Sequence, residues 1–207
     1  VDIFGQEGTE KRFSQYAYID TTATLIHPLI YKVIAKMKSF YADIMASRAY
    51  AVWDDKIKQF TPSTQEVGET GFHYFMSKLN QLKFEDTGSQ ERKQNIELIE
   101  SKIKNSSITT SKIIVIPAAY RDMMIDESDN NASDEINDIY YRLIAISNTI
   151  NPQAYGVAKK AFDAQTMSLQ RTFNDLYEYL VAIIEGKNGF LLKKYASRNL
   201  MYGTRNV

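Results

Sequence analysis

Residues 133–185 read SDEINDIYYRLIAISNTINPQAYGVAKKAFDAQTMSLQRTFNDLYEYLVAIIE, and the fold follows from how that stretch is parsed. Ser133 suits a helix N-cap, and Asp134 and Glu135 stand where a helix N-terminus favours negative charge. Ile136, Ile139, Tyr140, Leu143 and Ile150 then lie on one apolar stripe at helical spacing. Asn151-Pro152 breaks that helix, and a second, longer one is predicted over about 155–185. Its stripe is heptad-like: Phe162, Leu169, Leu176 and Ile183 recur every seven residues, with Phe173 and Leu180 between them. Two such helices around a tight turn make an antiparallel coiled-coil hairpin. At 1.5 Å per residue the second helix would be roughly 45 Å long, an arm and not a core helix of a small globule. Gly186 and Gly189 end it.

Upstream of the hairpin the pattern is that of a mostly helical base, residues 1–112. Leu25, Leu29, Val33, Met37, Tyr41 and Ile44 are spaced three or four apart and predict one or two amphipathic helices between about 24 and 53. Pro62 and Gly68 punctuate a polar stretch at 61–70, before a short helix holding Phe72, Phe75, Met76 and Leu79. Residues 91–104 again read as helix through Ile96, Ile99 and Ile103, and 106–111 as a breaker. Residues 113–116 are β-branched and closed by Pro117, which predicts a short strand. An acidic loop at 126–131 completes a segment 113–132 that leads into the hairpin. The fold class expected is thus mainly α, with a helical base, one short strand and a projecting hairpin.

The chain has 207 residues, enough for one good core or a core with an appendage. Lys and Arg total 25 and Asp and Glu total 25, so the molecule as a whole has no electrostatic claim on nucleic acid or membrane, and any such contact must be local. The tail 186–207 supplies a local patch: Lys187, Lys193, Lys194, Arg198 and Arg205, with no acidic residue among them. Cysteine is absent, which excludes disulfides and thiolate zinc sites. His27 and His73 are far apart in sequence and are read as packed or capping side chains, so no metal ligand is assigned. No P-loop, dinucleotide fingerprint, signal peptide or transmembrane run is present, and a chain from Val1 to Val207 without stop signals fits a segment of something longer.

Particular strings carry a family resemblance. Gly186-Lys187-Asn188-Gly189, followed by Tyr202, Arg205 and Val207, resembles the largest (β′-like) subunit of multisubunit DNA-directed RNA polymerases, whose stretch reads Gly-Lys-x-Gly, twelve residues, Tyr or Phe, two residues, Arg, one residue, Val. Val115-Ile116-Pro117-Ala118-Ala119-Tyr120-Arg121 is similar to the family's Val-Ile-Pro-Pro-Asp-Leu-Arg. Ser133-Asp134 with Asn137-Asp138-Ile139-Tyr140-Tyr141-Arg142 resembles the string that opens the family's paired clamp helices, with one extra residue. Met167-Ser168-Leu169-Gln170 stands where the family has Met-Leu-Gln in the returning helix, and Tyr18-Ile19-Asp20 with His27 resembles its His-Ile-Glu and later His.

The resemblance implies a polymerase clamp that holds template DNA and the RNA–DNA hybrid. It makes 186–207 a switch-like segment, with Lys187, Arg198 and Arg205, and more weakly Lys193 and Lys194, as phosphate contacts. It makes the acidic loop a lid, with Arg121, Asp126, Glu127 and Asp129, and the hairpin turn a dock for a promoter-specificity subunit through Ile146, Ser147, Thr149, Pro152 and Gln153. Partners implied are the β-like and remaining β′-like chains, with no membrane; the compartment implied is the host cytoplasm or the virion. The catalytic string Asn-Ala-Asp-Phe-Asp-Gly-Asp is not in this sequence, so no catalytic residue is assigned, and the Mg of the complete enzyme belongs elsewhere.

The departures are specific. Phe4-Gly5 stands where bacterial members carry the last Cys-Gly of a zinc ribbon, and residues 176–185 run on where a rudder loop normally interrupts. Ile146 and Thr149 replace arginines, as do Phe190 and Leu192 in the switch. Such divergence resembles the split polymerases of giant bacteriophages. The alternative is a non-enzymatic coiled-coil virion or scaffold protein whose basic tail binds nucleic acid.

Overall fold

Residues 18–26, YIDTTATLI, are rich in β-branched side chains and bury alternate positions, so they form a strand, β1 (Tyr18–Ile26), where the sequence pattern had a helix starting at about 24. The structure, a computed structural model, describes residues 17–105, 107–117, 123–125, 131–133, 135–187 and 189–196. After β1, His27 caps helix α1 (Pro28–Met37): its Nδ1 accepts the Leu29 N–H at 3.2 Å, and Pro28 occupies the first helical position, where its missing N–H costs nothing. The buried face of α1 sits one residue on from the expected stripe, with Ile30 and Ile34 inside and Leu29 36% exposed. Helix α2 (Ser39–Met45) buries Tyr41 and Ile44.

A hairpin of β2 (Tyr50–Asp54) and β3 (Gln59–Ser63) follows, where helix was expected to about 53 and a polar stretch after it. Helices α3 (Phe72–Lys78) and α4 (Gln90–Lys104) lie where the apolar spacing put them. Strand β4 (Thr109–Ile114) pairs antiparallel with β1, and two short strands, β5 (Met123–Ile125) and β6 (Asn131–Ser133), pair with each other. The chain continues through α5 (Glu135–Asn148), a short α6 (Pro152–Val157), a 3-10 turn (Lys159–Phe162) and α7 (Asp163–Ile184). The class is mainly α, with three two-stranded antiparallel sheets among the described residues.

Two hydrophobic clusters hold these elements. One gathers Ile30, Ile34, Tyr41, Phe60, Phe72, Phe75 and Ile99 from α1 to α4 and admits Met167 from α7. The other joins Ile19, Ala23, Leu25 and Ile113 of the β1–β4 ribbon to Ile139, Leu143, Leu169 and Leu176 of α5 and α7. The hydroxyl of Tyr140 reaches Ile114 and Ile116, and Leu180 lines a groove with Ile114, so the start of α5 and the end of α7 meet the same end of the ribbon. The two helices are therefore antiparallel neighbours, with Leu143 and Leu169 fully buried in one cluster.

The connection is not the tight turn expected, and the long helix begins at Asp163 instead of near 155. Asn151 Oδ1 accepts the Gln153 and Ala154 N–H groups at 2.9 and 3.3 Å and starts α6, which stops at Ala158 because Tyr155 is drawn into the interior. At 22 residues α7 is about 33 Å long. Its first two-thirds is no free arm: Thr166, Met167, Leu169, Gln170, Thr172 and Leu176 are all buried.

The ribbon is irregular in the middle, where the four residues of β1 between Asp20 and Leu25 face only Ser111 of β4. Thr22 takes a left-handed φ of 58°, fixed by its N–H donating to Asp20 Oδ1 at 2.9 Å, and the Thr21 hydroxyl supplies the missing rung by donating to Ser111 O at 2.9 Å. The outer edge of β1 is closed by side chains. Ser147 Oγ donates to Asp20 O at 2.9 Å. Fully buried Gln170 pairs with Ile26 as another strand would, accepting its N–H and donating to its carbonyl, both at 2.8 Å.

Replacing Gln170 orphans two buried main-chain groups, each worth about 1–3 kcal/mol. Gln170→Leu is expected to lower unfolding free energy by about 2–4 kcal/mol, read as a shifted urea midpoint at unchanged slope. Gln170→Glu, which keeps the acceptor but turns a carboxylate on the Ile26 carbonyl, should not rescue it.

Candidate functional site

Lys187 is exposed just past the C-terminus of α7, where Gly186 adopts φ +81°. A Cβ at Gly189 would lie 2.1 Å from Glu185 O, so the Gly-x-x-Gly spacing is used by the backbone. Lys193 and Lys194 fall in a π-helical turn (Leu191–Ala196), beside Phe190, Leu191 and Leu192, which are exposed. Arg198 and Arg205 lie outside the described residues, as do the lid-like Arg121, Asp126, Glu127 and Asp129; of the acidic loop only Asn131 is described, as the first residue of β6. Val1, Phe4, Gly5, Tyr202 and Val207 are likewise outside.

The docking residues sort by depth. Ser147 is buried and spends its hydroxyl on Asp20 O, and Ile146 packs partly into the second cluster. Thr149, Pro152 and Gln153 are exposed at the end of α5, Thr149 Oγ1 donating to Ile146 O at 2.6 Å. Tyr141 (67% exposed) and Ile144 on α5 and Val157 (90% exposed) on α6 also leave apolar surface.

The arrangement that sequence reading missed is a chain of hydrogen bonds around His73. Asp163, the first residue of α7, accepts the His73 main-chain N–H at 2.9 Å and bonds the ring Nδ1; the ring Nε2 lies 2.7 Å from the Tyr155 hydroxyl. With an Nδ1–H tautomer both ring links are satisfied: His73 donates to the Asp163 carboxylate and Tyr155 donates to Nε2. Burial pushes the Tyr155 hydroxyl above its ordinary pKa, which keeps it a donor.

The chain of bonds ties α3, α6 and α7 together. It also explains Gly71, at φ +108°, which cannot cap α3 with a side chain; the Asp163 carboxylate occupies that space and caps the helix from across the fold. Lys160 bonds Glu69 beside it, which raises the lysine's pKa. The two histidines are thus a cap and a relay member. Among the described residues no group of three His, Asp or Glu side chains is placed to hold a metal ion, and no helix is long and apolar enough to cross a membrane.

No protein-family model matches the chain, and no curated protein matches it.

A Cβ at Gly71 would fall 2.0 Å from Asp163 Oδ2. Gly71→Ala is therefore expected to cost about 1–3 kcal/mol and to break the Nδ1–H signature of His73 in ring nitrogen NMR. Gly156→Ala, where nothing lies within 4 Å, should instead stabilise by about 0.5–1 kcal/mol.

Proposed function

We propose that this chain is a portion of a β′-like subunit of a DNA-directed RNA polymerase, the clamp region, which holds template DNA and docks a promoter-specificity subunit. The observation that carries the reading is convergence. Strings that resemble the family lie far apart in sequence, yet they meet around one ribbon. Val115 N–H donates to Ala17 O at 2.9 Å and Tyr18 pairs with Ile114, which joins the Tyr18-Ile19-Asp20 string to the Val115-Ile116 string. Gln170, from the returning-helix string, bonds Ile26 next to His27, and Tyr140, from the string that opens α5, bonds Ile114 and Ile116.

The clamp hairpin of this reading is the α5–α7 pair, rooted in the ribbon and in the first cluster. Its turn presents exposed Thr149, Pro152 and Gln153, with apolar Val157 further along α6. Ile146 and Thr149 cannot make bidentate bonds to carboxylates as arginine does, so apolar contact dominates the dock for the promoter factor. The tail that begins at Gly186 acts as a hinge toward a catalytic body carried on another part of the enzyme, with Lys187, Arg198 and Arg205 on template phosphates and Lys193 and Lys194 beside them. Catalysis, and the Mg that serves it, belong to that body.

Expression with its neighbouring genes tests the reading: stable co-purification with a β-like chain and a chain carrying an Asp-Phe-Asp-Gly-Asp string is expected. In that complex, alanine at Lys187, Arg198 or Arg205 should shorten the lifetime of promoter complexes alike across promoters, each lowering the salt slope by up to about one unit. A self-sufficient homo-oligomer with no polymerase partner would favour the coiled-coil scaffold instead.

A further inference from the structure

The hairpin of β2 and β3 ends in a lysine-bearing surface, apart from the basic tail. Its loop carries Lys56 and Lys58, the end of α3 brings Lys78, and Lys83 is fixed alongside by its N–H donating to Lys58 O at 3.1 Å. Trp53 sits among them, with Lys78 Nζ 5.7 Å from its ring centre and Phe60 packed edge-on behind it at 4.9 Å. Exposed Ile57, at 45%, tops the loop.

The two carboxylates of the loop are held by its own scaffold. Asp54 Oδ1 accepts the Lys56 and Ile57 N–H groups at 2.8 and 3.4 Å, and Asp55 accepts from Trp53 Nε1 at 3.0 Å and Lys58 Nζ at 3.1 Å. Lys58 itself takes a left-handed φ of 54°. Lys78 thus lies over the Trp53 ring and Lys58 meets it through Asp55, while Lys56 and Lys83 flank the same turn. Glu85 accepts from Gln59 Nε2 at 3.3 Å, so four lysines stand against three carboxylates, and the tip carries apolar surface as well as charge.

We propose that this hairpin tip, through Lys56, Lys58, Lys78 and Lys83 around Trp53, is a sequence-independent contact for the phosphate backbone of a nucleic acid. Clustered long cations with an interleaved aromatic suit a polyanion whose units carry both phosphates and flat apolar faces. An acidic peptide would satisfy the lysines but leave Trp53 and Ile57 without a counterpart. The site is separate in sequence from the basic tail, and it does not rest on the polymerase reading.

Trp53 is the only tryptophan in the protein, so its emission reports on this surface alone. The full chain is titrated with an oligothymidylate of about 20 nucleotides, longer than a typical site of about 4–16, and with a duplex of equal length. A saturable change in emission is expected, with a salt slope on the single strand of about −2 for three neutralised phosphates. Lys56→Glu with Lys83→Glu should weaken binding at least tenfold and abolish the emission change even at saturation. Lys187→Ala with Lys193→Ala should leave the saturated emission change intact. Binding seen by anisotropy of a labelled oligonucleotide without any change in Trp53 emission would overturn the proposal. So would an equal response to polyglutamate at matched charge. Co-purification of polymerase subunits, by contrast, decides only the polymerase reading.

Discussion

Among the described residues strand β1 has a strand partner on one side only, and its other edge is closed by side chains that arrive more than a hundred residues later. Ser147 serves Asp20 from 127 residues away, and Gln170 serves Ile26 from 144 residues away. A buried main-chain N–H or carbonyl without a partner costs about as much as a deleted hydrogen bond, so the ribbon is complete only when α5 and α7 are docked. The opposite edge is closed the same way. Thr110 Oγ1 donates to Lys112 O and accepts its N–H, and the Tyr140 hydroxyl donates to Ile114 O and accepts from Ile116 N–H. Both edges of a two-stranded sheet that could recruit foreign strands are thereby blunted.

From that constraint the character of the helical pair follows. An arm held only by its own stripe would swing freely, whereas α7 is fixed by Gln170 to the ribbon, by Met167 to the first cluster and by Asp163 to the start of α3. In the proposed clamp, motion would then arise at the glycines beyond Ile184 while the hairpin moves as a rigid lever. Electroneutrality of the whole chain is compatible with such a role because the tail 186–207 carries five cations and no carboxylate side chain.

Helical periodicity made α3, α4, α5 and the body of α7 legible, since each carries an apolar stripe that tertiary packing then uses. Strand β1 was hidden because Leu25 extends the spacing of the next helix backward, so a 3.6-residue pattern overlaid a two-residue one. The strands β2 and β3 escaped because Pro62 and the polar loop masked a short alternation. The start of α7 was misplaced because the heptad positions reach back to Phe162, while Tyr155 and Asp163 are committed to His73, a contact no local pattern encodes. Gln170 was visible as part of a family-like string, but its pairing with Ile26 is a property of three dimensions. The tail's charge was plain in the sequence, and the β2–β3 tip was not, because its lysines converge from three segments.

The dependence of β1 on the helical pair can be measured by native-state hydrogen exchange, residue by residue. The amides of β1, Ile26 above all, and those of the first half of α7 should open in one cooperative step with the same free energy and the same denaturant dependence. Exchange of the α7 amides through an opening that leaves the Ile26 amide protected would contradict the account.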